Sequence, residues 1–168
     1  MVRLTYLLVL SFFLTSNFIY GQTSEEFEAT YAKRIKEEML NGVYIPADLE
    51  DAYTELSRLA DPQGLLMFKS APEDSIRHKL HFGFGKWIMT NWELEEGSRI
   101  SHYLKMKGVS YPDDMVRVII VTWHRRLNGH PLKLEEEIAE AKLHMEAEKA
   151  KRDKDKKVIV LEKRPHKE

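Results

Sequence analysis

Apolar residues recur every three or four positions along most of the chain, and that spacing predicts helices throughout. Phe27, Tyr31, Ile35 and Met39 form one stripe behind the capping-box pair Thr23 and Glu26, and Asn41-Gly42 ends it. Val43 to Pro46 reads as an extended connector, because Pro46 biases Ile45 away from helix. Asp48 can cap a second helix with Leu49, Ala52, Tyr53, Leu56 and Leu59 on its buried face, stopped by Asp61-Pro62. Leu65 to Phe68 suggests a further turn of helix. Ser70 and Glu73 have capping-box spacing with Pro72 in the first turn, opening a helix expected to run to about Asn91. Along it Ile76, Leu80, Phe84, Trp87, Ile88 and Trp92 share a face. Gly83 and Gly85 fall inside it and imply either the close approach of a neighbouring helix or a break.

Gly97-Ser98 begins the next helix, carrying Ile100, Tyr103, Leu104 and Met106, and Gly108 stops it. Pro112-Asp113-Asp114 then opens the most hydrophobic helix, in which Val116, Ile119, Ile120, Trp123 and Leu127 make one face and Met115, Val118 and Val121 a second. Apolar on two sides, it should be central. Beyond Leu134 only Leu134, Ile138, Ala141 and Met145 keep the spacing among charged neighbours. This predicts an exposed helix lying along the domain, with Glu135, Glu136 and Glu137 favoured by the helix dipole. The pattern as a whole predicts an all-α fold: a compact single domain of five or six helices with a charged C-terminal helix and tail.

Length and composition agree with one domain. The 168 residues include 43% hydrophobic positions, enough for a core. Residues 1–21 are set apart, with Arg3 before a short apolar run and Gly21 at the end of the segment, as in a cleaved secretory signal. The run is short for a membrane span, so no transmembrane segment is expected after cleavage. The expected divisions are a signal peptide over 1–21, a helical domain over 22–134, and a charged helix and basic tail over 135–168. The chain is thus expected to be exported, to the periplasm or out of the cell. Cysteine is absent, which excludes disulfides, thiol catalysis and lipid attachment at a cysteine.

The net charge of -1 gives no general reason to expect nucleic-acid binding. It hides an asymmetry. Residues 149–168 hold nine Lys and Arg against four Asp and Glu, so this end could contact an anionic surface, although such ends are commonly solvated.

No phosphate loop, dinucleotide fingerprint, nucleophile elbow or HExxH motif is present. His78, His81, His102 and His124 could in principle converge on a metal, but hydrogen-bonded or exposed histidines are the simpler reading, and neither metal nor cofactor is expected. Ser98 and Arg99 at a helix start could receive an anion; a cap and an ion pair with a nearby acid explain them as well. Asp113 or Asp114 with His124 or His81 could support general acid–base hydrolysis. Asp113 as N-cap and Asp114 in the first turn need no chemistry.

The segments HFGFGKWIMTNW, GSRISHYL and YPDDMVRVIIVTWHRRLNG, together with IPADLEDAYTEL, resemble an uncharacterised domain family of bacterial proteins. The resemblance runs from about Tyr44 to Leu134. It rests on His81 to Ile88, Asn91-Trp92, the Gly-Ser-Arg helix start and the Pro-Asp-Asp-Met helix start. Between Trp92 and Gly97 the family tends toward a second Trp and further Gly, where this chain has Glu-Leu-Glu-Glu. The resemblance implies a recurring helical domain and no established activity. The leading expectation is an exported binding domain for an envelope or secreted protein or another macromolecule, using the surface around Asn91, Trp92, Ser98 and Arg99. The alternative is a small hydrolase.

Overall fold

The structure is a computed structural model and describes residues 24–79 and 81–162. The proposed signal segment and the extreme C-terminus lie outside the described residues, as does Leu80. Eight α-helices, a π-helical turn and one two-stranded hairpin are present among the described residues. In chain order they are α1 (Ser24–Arg34), β1 (Met39–Leu40), β2 (Val43–Tyr44), α2 (Leu49–Leu59), α3 (Pro62–Ser70), α4 (Glu73–Lys79), the π turn (His81–Gly85), α5 (Lys86–Asn91), α6 (Arg99–Met106), α7 (Pro112–Leu127) and α8 (Leu134–Glu162). The fold is mostly helical, as expected, but the helices outnumber the five or six predicted. None of the described helices is long and apolar enough to cross a membrane.

Helix α7 is the axis of the molecule. Its residues from Asp114 to Arg125 are buried apart from Arg117, and α2 to α6, the π turn and α8 all pack against it. A helix apolar on two faces is stable only where both are covered. Trp123, Ile119 and Met115 meet Leu56, Ile88, Trp92, Ile100 and Leu104 in one core.

Several boundaries differ from the sequence reading, each for a local reason. The first helix stops at Arg34, and Met39 belongs to a hairpin pairing Met39 with Tyr44 and Leu40 with Val43. Asn41 and Gly42 both have positive φ, 49° and 80°, which suits the two-residue turn whose twist matches a hairpin. Asn-Gly is therefore a hairpin turn here, not a helix stop. The long helix expected from Pro72 to Asn91 is interrupted by the π turn. Gly83 faces open space, with nothing within 4 Å of where a Cβ would sit, so no neighbouring helix accounts for it. The glycines instead make an interruption less costly. Ser70 does not form the expected box, because its hydroxyl donates back to the Met67 carbonyl at 3.1 Å. Asp61 does more than stop α2: its side chain accepts from the Gly64 amide and caps α3, with Pro62 in the first turn. In α7 the N-cap is Tyr111 and Asp113 lies within the first turn, so Asp113 is not the cap.

Candidate functional site

The end of α5 builds the most distinctive local geometry. Its C-terminal turn closes with the Leu94 amide bonded to the Met89 carbonyl at 3.0 Å and the Glu93 amide to Thr90 at 3.3 Å. This closure places residue 93 in the left-handed region, φ 46°, where glycine is preferred. Glu93 occupies it instead, and its carboxylate makes two ties to other elements. It pairs with Arg34 at the end of α1 and accepts from Asn41 Nδ2 in the hairpin turn at 2.5 Å. Arg34 Nε also donates to the Gly97 carbonyl at 2.9 Å. Between these elements lies a cleft of about 550 Å³, lined among others by Arg34, Asn41, Lys86, Glu93, Glu95 and Glu96. Glu95 and Glu96 are exposed and have no ion-pair partner among the described residues.

Helix α1 is laid over this region with none of its residues buried. Besides Arg34, Tyr31 helps attach it: its hydroxyl is 3.1 Å from His102 Nδ1, with Lys105 Nζ 5.0 Å from the ring centroid. A helix with no buried residues, held through polar contacts beside an open cleft, belongs to the low-stability end of a fold. Glu93→Gly is expected to leave the protein about 1 kcal/mol more stable than Glu93→Ala. Both variants lose the same side-chain ties, and only alanine keeps the backbone strain. Urea midpoints of the two variants check this; equal midpoints would remove the strain argument.

The residues singled out from sequence fall mostly into the scaffold. Ser98 is fully buried and caps α6, accepting from the Ser101 amide while the Ser101 hydroxyl accepts from the Ser98 amide at 2.8 Å. Arg99 holds the hairpin: Nε donates to the Ile45 carbonyl at 2.5 Å, the guanidinium lies over the Tyr44 ring, and Glu38 and Asp51 lie within 3.4 and 3.8 Å. Asn91 Nδ2 donates to the Trp87 carbonyl at 2.9 Å. Trp92 is buried in the core, and its Nε1 has no hydrogen-bond partner among the described residues. The surface expected around Asn91, Trp92, Ser98 and Arg99 is therefore carried outward by the intervening glutamates.

Among the described residues, the carboxylates of Asp113 and Asp114 do not converge with His124. Asp114 and His124 sit ten residues apart on α7, roughly 15 Å along the axis. His124 is buried beside Phe68, its Nε2 is 3.3 Å from Asn128 Nδ2, and its Nδ1 has no partner among the described residues. Asp113 is exposed on the first turn of α7. The side chain of His81 lies outside the described residues. His78 is exposed and bonds the Asp74 carbonyl, and His102 meets Tyr31; among the described residues no group of three or more His, Asp or Glu is placed to hold a metal.

The model of a family described as a domain of unknown function, DUF6794, matches residues 45–127. The chain carries a DUF6794 domain. No curated protein and no solved structure matches the chain. The DUF6794 domain begins at Ile45, just past the hairpin, and ends with α7. The Glu93 turn and the α5 residues that line the cleft belong to it, whereas Arg34 and Asn41 come from the chain before it.

The helix that follows the domain, α8, is attached by a cluster the sequence reading did not single out. Glu137 is 1% exposed. Arg77 of α4 makes both of its terminal nitrogens available to the two Glu137 oxygens, Arg117 of α7 approaches at 2.5 Å, and Arg125 at 3.1 Å. Arg125 is also forked onto Glu73 at 3.0 and 2.5 Å, a contact that holds the Glu73 carboxyl below its usual range. The signal was present in the spacing. Glu137 is three residues after Leu134 and four before Ala141, so it lies on the buried stripe while Glu135 and Glu136 do not.

Two turns further along, His144 Nδ1 lies 2.7 Å from Asp114, which raises its pKa above the ordinary 6.5 chiefly through that hydrogen bond. A raised folded pKa stabilises below the unfolded value and loses its effect as pH rises through the folded one. Attachment of α8 is therefore expected to weaken on the alkaline side of 6.5, modestly because His144 is half exposed. Amide exchange along α8 measured across pH checks this after correction for the intrinsic rates. His144→Gln should flatten the profile.

Proposed function

We propose that this chain is an exported binding domain that engages a protein partner of the cell envelope or the secreted milieu through the cleft between α1, the hairpin and the Glu93–Gly97 turn. The observation that carries the reading is Glu93. A residue type disfavoured by the backbone occupies the left-handed position and ties two neighbouring elements around a carboxylate-lined opening. Outliers of this kind gather where a surface is shaped for use. Glu95 and Glu96 face solvent beside it, so the complementary partner surface is basic. The apolar run behind Arg3 supports export. The basic end of the chain is suited to an anionic surface and is a secondary contact in this reading.

Two experiments test it. The intact mass of protein from the native cell's exported fraction should correspond to loss of residues 1–21; a full-length mass confined to cytosol would remove the export step. A photo-cross-linking residue at position 96 should capture a defined partner that a residue at position 139, exposed on α8, does not. The capture should disappear in E95K. Identical products from both positions, or capture insensitive to E95K, would rule the cleft out.

A further inference from the structure

Three guanidinium groups of the DUF6794 domain converge on a carboxylate that the domain does not itself contain. Arg77, Arg117 and Arg125 lie within residues 45–127, and Glu137 lies ten positions beyond its end. Each Glu137 oxygen meets two arginines: Oε1 meets Arg77 and Arg125, and Oε2 meets Arg77 and Arg117. The planar forks match a carboxylate's geometry and are donors only. Within the domain the nearby acids are Glu73 and Asp114, so two carboxylates face three arginines and one positive charge is left over. Glu137 supplies the balance from α8, with Glu140 at the rim, 3.0 Å from Arg77 and 3.2 Å from Arg117.

Docking a helix does not require this arrangement. An apolar residue on the Leu134–Ile138–Ala141 stripe would bury without the desolvation cost of a carboxylate and three cations. We propose that Arg77, Arg117 and Arg125 form a carboxylate-receptor site, which Glu137 occupies as an intramolecular ligand, so that α8 closes it against a carboxylate carried by a partner. The rest of the α8 attachment fits a cover that can be exchanged. Its buried apolar contacts are Ile138 and Ala141, and beyond them the helix is tied by Asp114 to His144 and by Tyr111 to Arg152. This inference is independent of the cleft at Glu93.

The test vacates the site and offers it a free carboxylate. Full-length E137A is melted in sodium acetate and in sodium chloride at matched ionic strength and neutral pH, with the wild type in the same salts as reference. Acetate is expected to restore most of the lost midpoint, beyond any shift in the wild type, with a saturable dose dependence. Adding R117A to E137A should abolish that recovery. If E137A is unfolded in chloride, the same readout is the return of helical circular dichroism in acetate. Equal behaviour in the two salts, recovery in neither, or recovery that survives R117A overturns the proposal. Phosphate acting more strongly than acetate also overturns it, because the site would then not be built for a carboxylate.

Discussion

Glu137→Ala is expected to destabilise the protein by about 3–5 kcal/mol, the cost of removing one partner from a buried charge cluster. The magnitude follows from what remains. Arg77, Arg117 and Arg125 are each mostly buried and stay where they are, because Glu73, Asp114 and the Leu132 carbonyl continue to hold them. Without Glu137 their charges face one another across a space that had been filled. A thermal midpoint lower by roughly 10 °C is expected for a domain of this size. Glu136→Ala, one residue away, is the internal comparison. Its partner is Lys133 at 3.2 Å and both side chains are more than half exposed, so its cost should stay below about 0.5 kcal/mol. Midpoints from urea unfolding distinguish the two. Equal effects would mean that the arginines relax into solvent when α8 is weakened, and that the cluster is not cooperative.

That contrast also marks what the sequence made legible. Periodicity located α2, α6 and α7 and the main buried residues, because these helices bury a face against the core and the spacing of Leu, Ile, Val and Trp records it. It placed Asp48 as a cap and offered that role for Ser98 beside anion binding, and the backbone bonds make both residues caps. It failed where a local motif has two uses. Asn41-Gly42 ends helices and turns hairpins, and the choice depends on whether Met39 has a core to face; at 51% exposure it has none. It also treated Glu135, Glu136 and Glu137 as one acidic first turn, although a helical phase separates the third from the first two. The surface expected around Asn91, Trp92, Ser98 and Arg99 encloses the loop that lines the cleft, without naming the side chain that shapes it. Asn91, Trp92, Ser98 and Arg99 are chemically conspicuous because the scaffold uses them, whereas Glu93 is conspicuous only through its φ, which no residue spacing reports.

Gly97→Ala is expected to cost about 2–4 kcal/mol, from two separable causes. The backbone at Gly97 has φ +97°, a conformation in which an L side chain is strained whatever the space around it. A Cβ there would also lie 2.5 Å from Cδ2 and Cε2 of Tyr31. The first cause belongs to the turn and cannot be relieved without refolding it. The second can be relieved by moving α1, which has no buried residues to lose. Gly97→Ala should therefore lose amide protection along α1 while the core stays folded, and the global midpoint should carry both the turn strain and the loss of α1 docking at Tyr31. In a Tyr31→Ala background the additional cost of Gly97→Ala should fall by roughly half, measured as a double-mutant cycle. An unchanged cost in that background would mean that Tyr31 never rests against Gly97 in solution. The cleft would then be open on its α1 side, and Glu93 with the hairpin would be all that shapes it.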